Sequence, residues 1–442
     1  MVSLLVWIAV QVSPTTGPPP PMTGAFNIAV ANFGEIDPAS GQVRESPTGQ
    51  AISQWLFDGL ERELQANVGQ VQLADQIELR HDATTPVLRG NSADARAAEA
   101  AELARAINAH MVVYGYLAPD GSANSLQIEI YVSPQASQDE FGGLVGGYAL
   151  ASALRLPQPF DTSNQLANIG VSEQVALRSR ILFWLTLGLT QDLLGRSEQA
   201  LATFQQAEQA LPDWPDSDGK ELLYYLQGRQ HLFLRHLDQA QQSLTRALSA
   251  NPDFARAAIA LGSVEAYRAN QLEDSAARLA PDGPLAQAID VQRHGLALAE
   301  TQGDGYTAAV ARIALAQSLD VLCISQLNAN QLAAAADSCA EAAGTAGQAL
   351  TFLETMQEHR LLAQAWLAQG LARYGQNFIV AAAGDHIAAR VETEAAIAAF
   401  EHCINLGDAA FFDQVLRERV IAEACQPNLQ AAQDRLRQLE GS

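Results

Sequence analysis

The chain has 442 residues, too many for one ordinary hydrophobic core, so its length predicts two or three structural units or an extended solenoid. Apolar residues make up 48% and charged residues 17%, against roughly 25% charged in an average soluble domain, which excludes disorder for most of the chain. With 49 acidic and 26 basic residues the formal charge is −23, a field that repels nucleic acid, nucleotide phosphates and anionic lipid head groups, so no nucleic-acid role is expected.

No charged side chain precedes Glu35. The opening "MVSLLVWIAVQV" is shorter than the roughly 20 apolar residues a spanning helix needs, and it lacks the basic flank of a signal peptide. It reads either as the end of a longer transmembrane helix, with the Pro-rich "SPTTGPPPPMTG" as an extended spacer, or as a loosely packed extension. Residues 1–24 are thus an apolar segment and linker through which the protein could associate with a membrane. The expected location is cytoplasmic or membrane-tethered.

Residues 25–135 carry the signals of a small α/β domain. "FNIAVANF" is a short apolar run between glycines and suits a buried strand, and "GQAISQWLFDGLERELQANV" places Ile52, Leu56, Leu60 and Leu64 on one helical stripe. A weaker strand lies within "VQLADQIELR", and an Ala-rich helix from about Ser92 runs into the strand "MVVYGYL". "SLQIEIYV" alternates cleanly, and Asp120-Gly121 predicts a hairpin joining the last two strands. The order is β-α-β-α-β-β, a sheet with helices on one face. No GxGxxG or GxxxxGK[ST] follows the first strand, so no phosphate cradle is expected. Residues 136–174, with the glycine-rich "FGGLVGGYAL", read as a connector.

"FNIAVANF", "LFDGLERELQ" and "AINAHMVVYGYL" resemble the strand, helix and helix-to-strand junction of the TolB N-terminal domain and related small domains of bacterial regulatory proteins. The resemblance implies an interaction or sensing domain and supplies no catalytic residue.

From about Asn164 onward helical periodicity dominates. In "ILFWLTLGLTQDLLGRSEQALATFQQAEQALPDWP", Trp184, Leu187, Gly188, Gly195, Ala200, Phe204, Ala207 and Pro212 fall at the positions of a tetratricopeptide unit of about 34 residues. A second unit, Glu221 to Phe254, keeps Gly228, Ala240, Leu244, Ala247 and Pro252 in register. A third opens with Leu261 and Gly262 and is interrupted by "QLEDSAARLAPDGP". More degenerate pairs follow, and a polar-faced last helix would cap the array. The chain resembles tetratricopeptide repeat (TPR) proteins over residues 175–442, so the expected fold class is α+β: the small α/β domain followed by an all-α TPR-type helical solenoid.

That resemblance implies a concave groove lined by the first helix of each unit. Carried onto this sequence, the groove residues are Leu185, Leu189 and Asp192 in unit one, Tyr225 and Arg229 in unit two, and Arg256 and Ser263 in unit three. Only Arg256 has a counterpart among the residues with which chaperone-binding members clamp a terminal carboxylate, which favours an apolar helix or strand in the groove. Packing of the unit-one leucines against the N-terminal domain is the competing reading.

The remaining candidates favour structural roles. The acidic "PDWPDSDGKE" fails the calcium-loop spacing and reads as a helix start, while His231 and His236 stand five apart, the wrong spacing for one helical metal site. Cys323, Cys339, Cys403 and Cys425 have no CxxC spacing and read as buried free thiols. No GxSxG, HExxH or Cys-His pattern occurs. Neither catalytic residues, metal nor cofactor are expected. The predicted function is a non-enzymatic protein-interaction scaffold or sensor module of a bacterial signalling protein, with a protein or peptide ligand. The alternatives are an exported or membrane-tethered envelope protein assembling TolB-like complexes and, last, a hydrolase with an interdomain site.

Overall fold

The runs that become β1 (Phe26–Val30) and β5 (Met111–Asp120) are apolar at nearly every position, and such strands need cover on both faces. The computed structural model describes residues 20–67, 76–82, 85–120, 123–134, 143–157, 160, 169–212, 214, 219–356, 358–409 and 416–440. The apolar N-terminal run, the hairpin tip at 121–122 and most of the acidic stretch before Gly219 lie outside the described residues.

β1 and β5 pair in parallel, with Ile28 opposite Met111. Helix α1 (Pro47–Asn67) buries Ile52, Leu56 and Leu60 on the side of Ile28, Val30 and Met111. Helix α2 (Ala93–Ile107), capped by the Ser92 hydroxyl accepting from the Ala95 N–H, packs Ala100 and Ala104 against Ala29, Val112 and Tyr114 on the other side. The expectation of helices on one face is therefore corrected. Both residue parities of β1 and β5 are apolar, so each face recruits its own helix.

Strand β4 (Ile77–Arg80) flanks β1 in parallel, while β2 (Gly34–Ile36) continues along β5 and carries β3 (Val43–Glu45). Strand β6 (Ala123–Val132) runs antiparallel along the whole of β5. The stretch expected as a connector contributes β7 (Gly146–Ala149) and β8 (Leu154–Leu156), both antiparallel to β6. They complete an eight-stranded mixed sheet among the described residues.

Helix α3 (Ile169–Leu193) joins the two halves. Its Ser179 hydroxyl donates to the Leu56 carbonyl at 3.1 Å, opposite Gly59, where a Cβ would collide with that serine. One hydrophobic cluster consequently runs unbroken from Phe26 in the sheet through Leu182 and Phe204 to Val264. The solenoid grows from this base as antiparallel pairs. They are α3 with α4 (Ser197–Ala210), α5 (Glu221–Phe233) with α6 (Leu237–Ala250), and α7 (Ala255–Asn270) with α9 (Pro284–Gln302), the last separated by the short α8 (Ser275–Arg278). Then come α10 (Gly305–Asn328) with α11 (Leu332–Met356), α12 (His359–Ala382) with α13 (His386–Ala409), and a π-helical segment (Leu416–Cys425) before α14 (Gln426–Glu440).

Within each well-formed pair a glycine of the first helix faces a large side chain of the second. Gly188 stands against the Phe204 ring, Gly228 against Leu244 and Gly370 against the Phe400 ring. Absence of a Cβ there lets the helices close while the large residue fills the space between them.

The cysteines are not free thiols. Cys323–Cys339 ties α10 to α11 and Cys403–Cys425 ties α13 to the π-helical segment, with Cα separations of 5.4 and 6.3 Å. Antiparallel neighbours bring residues 16 and 22 apart in sequence face to face, a pairing that no short cysteine motif announces. Helix α10 is long and apolar enough to cross a bilayer, yet 67% of that stretch is buried in the solenoid, as suits a core helix.

Candidate functional site

The first helices of three consecutive pairs present residues at helical spacing to one concavity. On α5 these are Tyr225, Arg229, Leu232 and Phe233; on α7, Arg256, Ile259, Ser263 and Tyr267; on α10, Tyr306, Val310, Ile313 and Gln317. Positions three and four apart share a helix face, so the stripes follow from sequence spacing alone. Between them lies a cavity of about 590 Å³, floored by Leu285 and Gln292 of α9 and approached by Arg419 of the π-helical segment. That volume falls within the range of sites that enclose a small molecule or a short peptide segment.

One end of the cavity is closed by the α/β domain. The Tyr225 hydroxyl donates to the Gly143 carbonyl at 2.6 Å. The Arg256 guanidinium donates to the Val145 carbonyl at 2.5 Å and to the Tyr148 hydroxyl at 2.7 Å, stacks 4.4 Å from the Tyr148 ring centroid, and pairs with Asp304 at 3.3 Å. Gly146 has φ +123°, and a Cβ there would run into that guanidinium, so this backbone position needs glycine twice over. The stretch from Gly143 to Tyr148, which leads into β7, is thus a docking segment laid against α5 and α7 of the solenoid.

Burial alone would lower the Arg256 pKa, but the Tyr148 hydroxyl and the Asp304 carboxylate outweigh it and hold the guanidinium above its ordinary value. For Asp304 burial opposes ionisation. Arg256 and the two hydrogen bonds from Thr307, at 2.9 Å from its N–H and 2.5 Å from its hydroxyl, prevail and keep the carboxyl below its usual value. Arg229 makes a second buried pair, 2.8 Å from Asp192, which also accepts from the Gln230 amide at 3.0 Å.

Of the residues expected in the groove, Tyr225, Arg229, Arg256 and Ser263 line this cavity. Leu185, Leu189 and Asp192 do not. The two leucines are about 1% exposed inside the hydrophobic cluster that continues from α3 into the α/β domain, and Asp192 is the buried counter-ion of Arg229. The α/β domain packs against α3 of unit one through α1 and β8, and the solenoid residues that line the cavity begin at α5 of unit two. The sequence reading missed Phe233, Arg235, Tyr267, Gln292 and the α10 stripe. Phe233 and Tyr267 extend the helix spacings of Tyr225 and Arg256 and could have been found, whereas the insertion around α8 hid the register of α10.

The other candidates have packing partners. His231 and His236 rings lie 5.8 Å apart, and burial first, His236 second, lowers the His231 pKa. His402 stacks on Trp366 at 4.5 Å. Among the described residues no group of three or more His, Cys, Asp or Glu is placed to hold a metal ion.

Residues 222–254 match the tetratricopeptide repeat family model, a span corresponding to α5 and α6. No curated protein sequence matches the chain. Among solved structures, a thermophilic TPR protein of Thermus thermophilus is 18% identical, with 52% of this chain and 97% of that one covered at a TM-score of 0.32. Yeast Tom70 is 17% identical, with 63% and 51% covered at a TM-score of 0.24.

Proposed function

We propose that the protein is a non-catalytic interaction scaffold whose cavity between α5, α7 and α10 receives a segment of a partner protein. The observation that carries this reading is the convergence of three first-helix stripes on one cavity whose mouth keeps Phe233 37% exposed. A large aromatic beside a concave, mostly apolar wall is the composition of an interface anchor. The docked α/β domain serves as a rigid platform at one end, and its resemblance to the TolB N-terminal domain supports an interaction role for that half as well. The test is co-purification from the native host. Phe233→Ala combined with Tyr267→Ala should lose the bound partner, while Gln241→Ala on the outer face of α6 should keep it; equal retention by both would sink the reading.

The two disulfides favour the exported, envelope-located alternative over a cytoplasmic signalling role. Structural disulfides persist in oxidising compartments and are rare where thiols are kept reduced. Both bonds are buried among packed helices, with Cys323, Cys403 and Cys425 at 0% exposure. Protein taken from the host under immediate alkylation, then denatured, should show no titratable thiol until a reductant is added. Recovery of all four as free thiols would return the protein to the cytoplasmic reading.

A further inference from the structure

The charged side chains on the cavity wall are all of one sign. Arg229, Arg235, Arg256 and Arg419 line it and, among the described residues, no aspartate or glutamate does, in a chain where acidic residues outnumber basic ones 49 to 26. Two of the four are committed inside the fold, Arg229 to Asp192 and Arg256 to Asp304. Arg419, on the exposed side of the π-helical segment, stands 3.6 Å from Glu423. Arg235 differs: it is exposed at the mouth, its guanidinium carbon stands over the Tyr267 ring 4.0 Å from the centroid, and among the described residues no carboxylate pairs with it.

Stacking leaves the N–H edge of a guanidinium open, the geometry that takes a carboxylate in bidentate fashion. Phe233, 37% exposed and with the Arg229 guanidinium 4.8 Å from its ring centroid, lines the same cavity. Inside the same cavity the Gln292 side chain, on a residue 1% exposed, has its Oε1 without a hydrogen-bond partner among the described residues, an acceptor open to a donor from a ligand. A buried acceptor, an exposed cation and an apolar anchor are the complement of an extended peptide that carries an acidic side chain next to an apolar one.

We infer that the cavity binds an acidic segment of a partner protein, its Glu or Asp carboxylate held by Arg235, a neighbouring apolar side chain on Phe233, and a backbone N–H reaching Gln292. This rests on the cavity being the partner site. The chain's own first 34 residues carry no charge to satisfy Arg235, and a second copy brings another −23 against the first. At the mouth the nearby arginines outweigh the distant acidic surface, because charges more than about 8 Å away are largely screened at physiological salt.

The probes are fluorescein-labelled nonapeptides of alternating Leu-Glu, Leu-Gln and Leu-Arg, titrated with the full chain by fluorescence polarisation. The Leu-Glu peptide should bind roughly 10- to 100-fold more tightly than the Leu-Gln peptide, a charge-assisted bidentate contact being the difference, and Leu-Arg should bind least. Arg235→Gln should erase the Glu-over-Gln preference, Arg235→Lys should restore part of it, and Arg437→Gln on the outer α14 should leave it intact. Equal binding of Leu-Glu and Leu-Gln overturns the acidic preference and leaves the cavity as partner site. A preference that survives Arg235→Gln overturns the assignment to Arg235. If no peptide binds, the inference fails; the scaffold reading falls with it only if Phe233→Ala with Tyr267→Ala also leaves partner co-purification unchanged.

Discussion

Replacing Arg256 with methionine removes one guanidinium at near-constant volume and should release the docking segment from the solenoid. Five interactions go: the ion pair to Asp304 at 3.3 Å, the bonds to the Val145 and Gly143 carbonyls and the Tyr148 hydroxyl, and the stacking on the Tyr148 ring. Breaking a buried pair by deleting one partner costs about 3–5 kcal/mol. The Asp304 side chain is 28% exposed and keeps both bonds from Thr307, so the lower end applies, about 3 kcal/mol. Residues 143–150 should then exchange their amide hydrogens about 150-fold faster, each 1.4 kcal/mol being a factor of ten.

Hydrogen-exchange mass spectrometry reads this directly, with peptides from α13 as the internal control. The pH dependence has a fixed sign. Because the Asp304 carboxyl is held below its ordinary value, its contribution is complete above about pH 4 and is lost as pH falls through the depressed value. The wild-type segment, corrected for intrinsic exchange, should therefore hold steady from pH 8 to 5 and loosen only in stronger acid. Acceleration below ten-fold in the Arg256→Met variant, or equal acceleration in α13, refutes the view that this residue pins one domain to the other.

Other consequences follow from packing. Reducing Cys323–Cys339, or replacing both cysteines with alanine, should lower the stability of the α10–α11 region by about 3 kcal/mol, as expected for closing a loop of 16 residues, and a reducing thermal melt that matches the oxidised one would contradict it. Gly188→Ala would gain up to about 1 kcal/mol in a bare helix, yet here the methyl meets the Phe204 ring, so a net loss of about 1–3 kcal/mol is expected by urea denaturation; a gain refutes the close-approach reading. Arg235 sits at φ 60°, a left-handed conformation that glycine adopts without strain. Arg235→Gly should raise the melting stability by about 0.5–1 kcal/mol while abolishing the acidic-peptide preference, and loss of stability would show that the stacked arginine supports the fold.

Much of the architecture was legible because it is local. Gly188, Ala200, Phe204 and Ala207 announce a helix pair by spacing, and "SLQIEIYV" announces a half-buried strand by alternation; both signals lie within one element. What was hidden depends on contacts across the chain. The spacing that put Leu185 and Leu189 on one helix face was right about the helix, but both are buried in the core shared with the α/β domain, and the segment 143–148 docks on Tyr225 and Arg256, which no local pattern in "FGGLVGGYAL" announces. Its glycines read as looseness, whereas Gly146 marks where a backbone passes against the Arg256 guanidinium. The cysteine pairs were hidden for the same reason, since each joins two successive helical elements that meet only in the folded chain. Arg235 escaped because it lies just past the end of α5, outside the helical pattern used to find groove residues.

Site-specific photocrosslinking in the native host decides whether a partner sits in the cavity between α5, α7 and α10. With p-benzoylphenylalanine at position 233, irradiation should give one discrete adduct, competed away by the alternating Leu-Glu peptide; the same residue at position 241, on the outer face of α6, should give none. An adduct of equal yield from position 241, or none from position 233 while a partner still co-purifies, would contradict the account.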